Sequence, residues 1–308
     1  MVRMVRIVPL PESLAQTPFT VYEARALGVP PKRLRAQDLS DGGRLIYLPA
    51  GRHLEIVERA RVLAAATPGA WASHETAAVL TRLGLPPWLG ECPTIHLSKQ
   101  HELPRVRRAG VTGHRVRCIP GELTEVDGIP VTAPPRTWLD LAAVLPLNYL
   151  IAMGDQLIRQ PRPSLELRSE PYADKDGLRL LIRQHPNMKG VEKARLALDE
   201  MRAGADSFPE TFLRLALLDA RLPEPELQLR LDPEDPRSPP ADMGYRRYRI
   251  AMQYDGAHHL TREQQTRDNR RDEAFRSAGW AYFKVNADDL AEGFDSVIAR
   301  IKRARLRH

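Results

Sequence analysis

The chain has 308 residues, more than one average domain needs and enough for two or three. A net charge of +7 and a pI near 9.6 favour an anionic partner, nucleic acid ahead of an anionic membrane surface. Hydrophobic residues make up 43%, enough for packed cores, yet no apolar run reaches bilayer-spanning length and the start Met1-Val2-Arg3-Met4-Val5-Arg6 lacks a signal-peptide core, so a cytoplasmic chain with no membrane association is expected.

The first segment, residues 1–52, reads as a small winged helix-turn-helix. Leu10 to Leu14 forms a first helix, and Pro18-Phe19-Thr20 leads into a second through Leu27. Gly28-Val29-Pro30 makes the turn, and Pro31 to Leu39 makes a third helix carrying Lys32, Arg33 and Arg35. Asp41-Gly42-Gly43 is a tight turn into the strand Arg44 to Leu48, which would edge a wing. The second of the paired helices enters the major groove in such units, so Lys32, Arg33 and Arg35, with Arg44 on the wing, are candidate DNA contacts. A helical hairpin with a solvated basic face fits the same pattern.

Residues 53–165 form an α+β unit. A helix from Leu54 to Ala66 is followed by Ser73-His74-Glu75-Thr76-Ala77-Ala78, then Thr94-Ile95-His96-Leu97-Ser98 and Gly113-His114-Arg115-Val116. Pro135-Arg136-Thr137-Trp138-Leu139-Asp140-Leu141-Ala142 completes it. The Ser-His-x-x-Ala-Ala and Arg-Thr-x-x-Asp stretches resemble the AbiEi-like proteins over roughly the first half of the chain. That resemblance implies an N-terminal winged helix that binds DNA, of the kind found in type IV toxin–antitoxin operons. His74, His96 and His114 show no metal-ligand spacing and read as structural. Arg136 and Asp140, one helical turn apart, read as a structural pair. Cys92 and Cys118 lie far apart and read as free thiols.

Pro, Ser and charge mix from Pro161 to Asp176, and residues 166–190 read as a linker that includes a helix from Leu178 to Gln184. The last unit, residues 191–308, begins with a helix from Val191 to Met201. Ser207 then caps an amphipathic helix running to Leu222, with Glu210 at the third position as in a capping box. The Pro-rich segment Pro233 to Pro240 precedes Asp242. A strand from Arg249 to Asp255 carries Gln253 and Asp255 on one face, before Gly256 and the histidines His258 and His259. If the chain doubles back between Asp242 and Ile250, Asp242 meets that pair. Converging oxygen ligands suit a hard divalent cation, Mg²⁺ or Mn²⁺, while an ordinary hairpin with polar ends reads equally well from these residues alone. Asp268, Arg271 and Phe275 share one helix face, Gly279 stops that helix, and Ala281 to Val285 forms a strand beside the first. A basic amphipathic helix with Arg300, Lys302, Arg303, Arg305 and Arg307 closes the chain.

Taken as an ordered set, Ser207-x-x-Glu210-Thr211-x-x-Arg214, Pro225-Glu226-x-Gln228, Ala241-Asp242-Met243, Gln253-Tyr254-Asp255-Gly256-x-x-His259, Asp268-x-x-Arg271 and Gly279-Trp280 resemble the DUF559 family. That family is similar to the Vsr (very-short-patch-repair) endonucleases of the PD-(D/E)xK nuclease fold. The resemblance implies a restriction-endonuclease-like α/β/α sandwich within an α/β multidomain chain, and Mg²⁺-dependent hydrolysis of DNA phosphodiesters in repair or in defence against foreign DNA. It implies Asp242 as the central metal ligand, with Gln253 and Asp255 at the paired second-motif positions. His259 becomes the candidate proton-transfer residue, Glu210 a carboxylate holding water near the metal, and Arg271 a phosphate contact. Gln253 departs from the usual Glu. An amide oxygen can ligate Mg²⁺ but adds no negative charge and cannot act as a base. A DNA-binding regulator, an antitoxin-like repressor with a relic nuclease fold, is the alternative expectation.

Overall fold

The computed structural model describes residues 8–51, 54–90, 94–162, 166, 168–235, 237–256 and 262–307, the side chains of 262–265 and 267 excepted. It is a mixed α/β chain in two compact units, Met1–Leu141 and Ala142–His308.

The first unit opens with helix α1 (Glu12–Ala15), strand β1 (Phe19–Thr20) and helix α2 (Val21–Ala26). Thr20 caps α2 reciprocally with Glu23. Strands β2 (Leu39–Asp41) and β3 (Ile46–Pro49) join β1 in an antiparallel sheet of order β1-β3-β2, packed over Leu14, Phe19, Ala24, Val29 and Leu34. The third helix expected over Pro31 to Leu39 is reduced to one 3₁₀ turn, Arg33–Arg35. Two prolines lead into it, and Arg33 is drawn inward rather than displayed. Its guanidinium chelates Asp38 through Nη1–Oδ1 at 2.8 Å and Nη2–Oδ2 at 2.6 Å, and its Nε donates to the Val8 carbonyl.

The rest of this unit runs α3 (Ile56–Ala65), β4 (Trp71–Ala72), α4 (His74–Leu80), α5 (Pro87–Gly90), β5 (Ile95–Gln100), β6 (Val111–Val116), β7 (Leu123–Val126), β8 (Ile129–Thr132) and α6 (Pro134–Leu141). The mixed sheet has order β6-β5-β4-β8-β7, with β5–β6 and β4–β8 parallel. Ala60, Leu63, Ala77, Ile95, Leu97 and Val131 fill its core. Arg136 and Asp140 pair at 2.9 Å as their spacing implied, with Glu122 as a second partner of the same guanidinium.

The second unit begins earlier than the sequence suggested. α7 (Leu147–Ile158) packs on α9 (Val191–Glu200) and α10 (Phe208–Asp219), and α8 (Lys175–Gln184) lies on α9. The buried Asp155 of α7 accepts from Thr211 Oγ1 at 2.8 Å and from the Arg202 amide at 2.6 Å, a tie that spans the helices. Residues 147–158 therefore pack with α9 and α10. Strands β9 (Glu226–Arg230), β10 (Pro240–Tyr245), β11 (Ile250–Tyr254) and β12 (Ala281–Val285) form a sheet of order β12-β11-β10-β9. β9, β10 and β11 are antiparallel, whereas β11 and β12 are parallel and joined across α11 (Arg262–Ser277). α12 (Ala287–Ala291) and α13 (Asp295–Arg305) complete the unit. Leu213, Leu217, Met243, Met252, Val285, Val297 and Ile301 make one core; Leu229, Ala241, Ala251 and Phe275 make another with Trp280 and Tyr282 packed against it. Gly279, at φ 76°, ends α11 in the left-handed conformation that costs glycine little. No helix among the described residues is long and apolar enough to cross a membrane.

Candidate functional site

The hairpin β10–β11 positions the site. The 3₁₀ turn Arg246–Tyr248 and Arg249, left-handed at φ 46°, return the chain on itself. Gly244 permits close approach of the strands, because a Cβ there would run into the Ile250 carbonyl oxygen. Pairing of Met243 with Met252 then sets Asp242 beside the end of β11. Its carboxylate accepts from Gln253 Nε2 at 2.6 Å and from the Tyr254 amide at 2.7 Å. Burial pushes Asp242 up to about 6, against the opposing pull of the Tyr254 amide, Arg271, Gln253 and Arg162. Gln253 Oε1 is buried and has no hydrogen-bond partner among the described residues.

Glu210 completes the acidic pair from the first turn of α10. Ser207 Oγ donates to its Oε1 at 2.7 Å and the Asp206 amide to its Oε2 at 2.9 Å. The capping role is thus present, but it does not exhaust the residue. Burial, reinforced by the like charge of Asp242, pushes Glu210 up to about 8 against Ser207, Arg162 and Arg159. Like charge between the buried Glu210 and the half-buried Asp242 thus favours a protonated Glu210 near neutral pH.

Near this pair stand Asp206, Arg159 and Arg162, which no sequence motif marked, and Gln228, which the motif set included without a role. Asp206 lies against Arg162, is 3.7 Å from Arg159 and accepts from Gln228 Nε2 at 3.0 Å. Arg159 also reaches Glu166 at 2.6 Å. Gln228 itself has φ 49°, unusual for a side chain of its kind, and it sits in β9 between Leu227, which pairs with Met243, and Leu229, which pairs with Ala241. The alternation is interrupted there: Leu227 and Met243 join the core with Leu213, while Leu229 and Ala241 join the core with Phe275. This sparsely populated backbone lies where Gln228 Nε2 bonds both the Gly204 carbonyl and Asp206. Arg159 and Arg162 were legible only as charges in a Pro-rich stretch; no local pattern ties them to a strand so far along the chain.

No family model matches the chain. Two proteins of Mycobacterium tuberculosis, strains H37Rv and CDC 1551, both named only as uncharacterized, are each similar at 26% identity over 202 residues, covering 65% of this chain and 71% of the relative. No solved structure matches.

The remaining candidates fall into place unevenly. Asp255 is exposed one residue beyond β11, its amide bonded to the Val285 carbonyl at 2.7 Å. His259 lies outside the described residues, as does Cys92. Arg271 is held by Asp268 at 2.9 Å and by the Tyr282 hydroxyl at 3.2 Å, close enough to Asp242 to favour its ionised form. Lys32, Arg35 and Arg44 are exposed. Arg33 is a correction: only 6% exposed and chelating Asp38, it is a structural cation and not a surface contact for DNA.

The histidines of the first unit come together in a way their spacing does not reveal. His74, His96 and His114 lie apart in sequence, yet one ligand atom from each falls within 4.8 Å of the others. The parallel register sets His96 opposite Thr112 and His114 opposite Ser98, two positions along one face, and His74 opens α4 beside them. The His74 and His114 rings stack at 3.8 Å. Burial pushes His74 down to about 4 and His114 down to about 3, so both imidazoles are neutral.

Proposed function

We propose that the chain is a metal-dependent DNA endonuclease whose chemistry resides in Ala142–His308 and whose N-terminal segment is a winged helix that engages DNA. The observation that carries this reading is the half-buried Asp242–Gln253 pair, whose Gln253 oxygen has no partner among the described residues, backed by Glu210. The resemblance to DUF559 and Vsr-like nucleases puts metal-binding residues at these same positions. The donor set fits Mg²⁺ or Mn²⁺: all three side chains offer hard oxygen, and the orphaned amide oxygen is a ligand in waiting. Asp242 and Gln253 would hold the ion, with Asp255 at their edge and Glu210 behind. A bound Mg²⁺ would lower the pKa of an attacking water and neutralise charge on the phosphate. Arg271, fixed by Asp268 and Tyr282, presents a planar guanidinium for a phosphate oxygen. Glu210 holds or accepts a proton as the pair ionises, and His259 supplies an imidazole for the leaving oxygen.

One observation favours a second reading. Gln253 hydrogen-bonds Asp242 directly, so the site satisfies Asp242 without a metal, as a retired nuclease centre in a DNA-binding regulator would. The two readings separate in a cleavage assay of this chain and its Gln253→Glu variant, with Mg²⁺ or Mn²⁺, on duplex, mismatched, damaged and single-stranded DNA. Cutting that disappears in Asp242→Ala supports the endonuclease; DNA binding with no cutting by either protein supports the regulator.

A further inference from the structure

We infer that His74, His96 and His114, with Glu75 paired to His96 beside them, form a binding site for one divalent transition-metal ion of the zinc class, inside Met1–Leu141 and independent of the Asp242 centre. Distances already match a coordination shell. His96 Nδ1 lies 3.1 Å from His114 Nε2 and 3.0 Å from Glu75 Oε2. The edge of a tetrahedron with metal–ligand bonds of about 2.0–2.1 Å is about 3.3 Å. His74 Nδ1 is engaged by Ser73 Oγ at 3.0 Å, which leaves Nε2 as its ligating nitrogen, and Ser98 Oγ in turn donates to Ser73 at 2.7 Å. That chain orients the ring as outer-shell hydrogen bonds orient metal-bound histidines.

Two further observations fit a cation site here. Glu75 Oε2 is buried against His96 Nδ1 at 3.0 Å, and that nitrogen also faces His114 Nε2 at 3.1 Å, so a single proton cannot serve both contacts. His74 holds φ 52° at the start of α4, a left-handed conformation that costs on the order of 1 kcal/mol and that capping a helix does not require. Imidazole nitrogen selects zinc, nickel, copper or cobalt over magnesium. Side-chain exposures of 14% for His96 and 8% for Glu75 leave the cluster shielded but reachable. Coordination asks the His74 and His114 rings, now 15° from parallel, to fan apart so that both lone pairs converge.

The test uses tag-free full-length protein loaded with Zn²⁺, passed over a weak chelator, and assayed for zinc by elemental analysis. Cobalt loading with visible spectroscopy serves as a second readout. We expect one zinc per chain, a tetrahedral cobalt band without thiolate charge transfer, and the same stoichiometry in the Asp242→Asn/Glu210→Gln double variant. His96→Ala and His114→Gln should each lose the metal while keeping the wild-type far-ultraviolet circular dichroism. Should either variant fail to fold, the Asp242→Asn/Glu210→Gln protein still decides: its melting temperature rises with Zn²⁺ and not with Mg²⁺, and histidine ring nitrogens shift on binding. Absence of stoichiometric zinc in the wild type, retention by both histidine variants, or loss in the Asp242→Asn/Glu210→Gln protein would overturn the assignment.

Discussion

At Gln253 a single atom decides the charge of the site. As an amide it donates to Asp242 and leaves its own oxygen unsatisfied; as a carboxylate it would stand 2.6 Å from a like charge. Gln253→Glu should therefore lower stability in EDTA by about 2 kcal/mol, and Mg²⁺ should restore it with a larger melting-temperature increase than the wild type shows. Equal Mg²⁺ responses in the two proteins would remove the metal from this position. Glu210 gives a pH prediction of definite sign. Its folded pKa is raised, so between about 4.5 and about 8 the native state keeps a proton that the unfolded state has released. Stability is fully present below that window and is lost as pH rises through it. Glu210→Gln, which retains an acceptor for the Asp206 amide, should melt increasingly above the wild type from pH 5 to pH 8, by on the order of 2 kcal/mol at the upper end. A constant difference across that range would refute the burial argument. Arg33→Ala should act on stability, costing about 2 kcal/mol for a half-buried ion pair, with no specific loss of DNA affinity beyond unfolding.

At the scale of elements, β10 and β11 succeed because backbone fit and burial agree. Gly244→Ala would press a methyl into the Ile250 carbonyl and shift Asp242 relative to Gln253. It should cost about 2 kcal/mol and reduce any metal-dependent melting shift, measurable by thermal melts with and without Mg²⁺. Much of this element was legible in the sequence: the doubling back before Ile250, the pairing of Asp268 with Arg271 on α11 and the strand Ala281 to Val285 all follow from periodicity and turn residues, whereas β11 ends at Tyr254 and leaves Asp255 outside it. What periodicity could not carry was side-chain direction in irregular segments. Arg33 sat in a pattern that reads as a surface helix, yet one 3₁₀ turn aimed it at Asp38. The three histidines offered no spacing, because their meeting is set by the parallel register of β5 and β6, a non-local fact. Likewise, Arg159 and Arg162 approach the Asp206–Glu210 region only because α7 packs on α10.

Across the whole molecule, charge and chemistry are unevenly shared. Most of the net +7 belongs to Met1–Leu141, while the acidic pair belongs to Ala142–His308. On the proposed reading the first unit supplies sequence-independent attraction to the phosphate backbone, and the second supplies hydrolysis. Lys32, Arg35 and Arg44 are its exposed candidates once Arg33 is set aside. The Lys32→Glu/Arg35→Glu/Arg44→Glu variant should weaken duplex binding. It should also flatten the slope of log affinity against log salt by roughly one for each phosphate contact removed. Cleavage rates at saturating DNA should stay unchanged, since none of the three lies in the unit holding Asp242. Fluorescence anisotropy across a salt series checks the slope, and single-turnover cleavage checks the rate. An unchanged slope would move the DNA contact elsewhere, with the basic face of α13, where Lys302, Arg303 and Arg305 cluster in the last turn, the next surface to reverse.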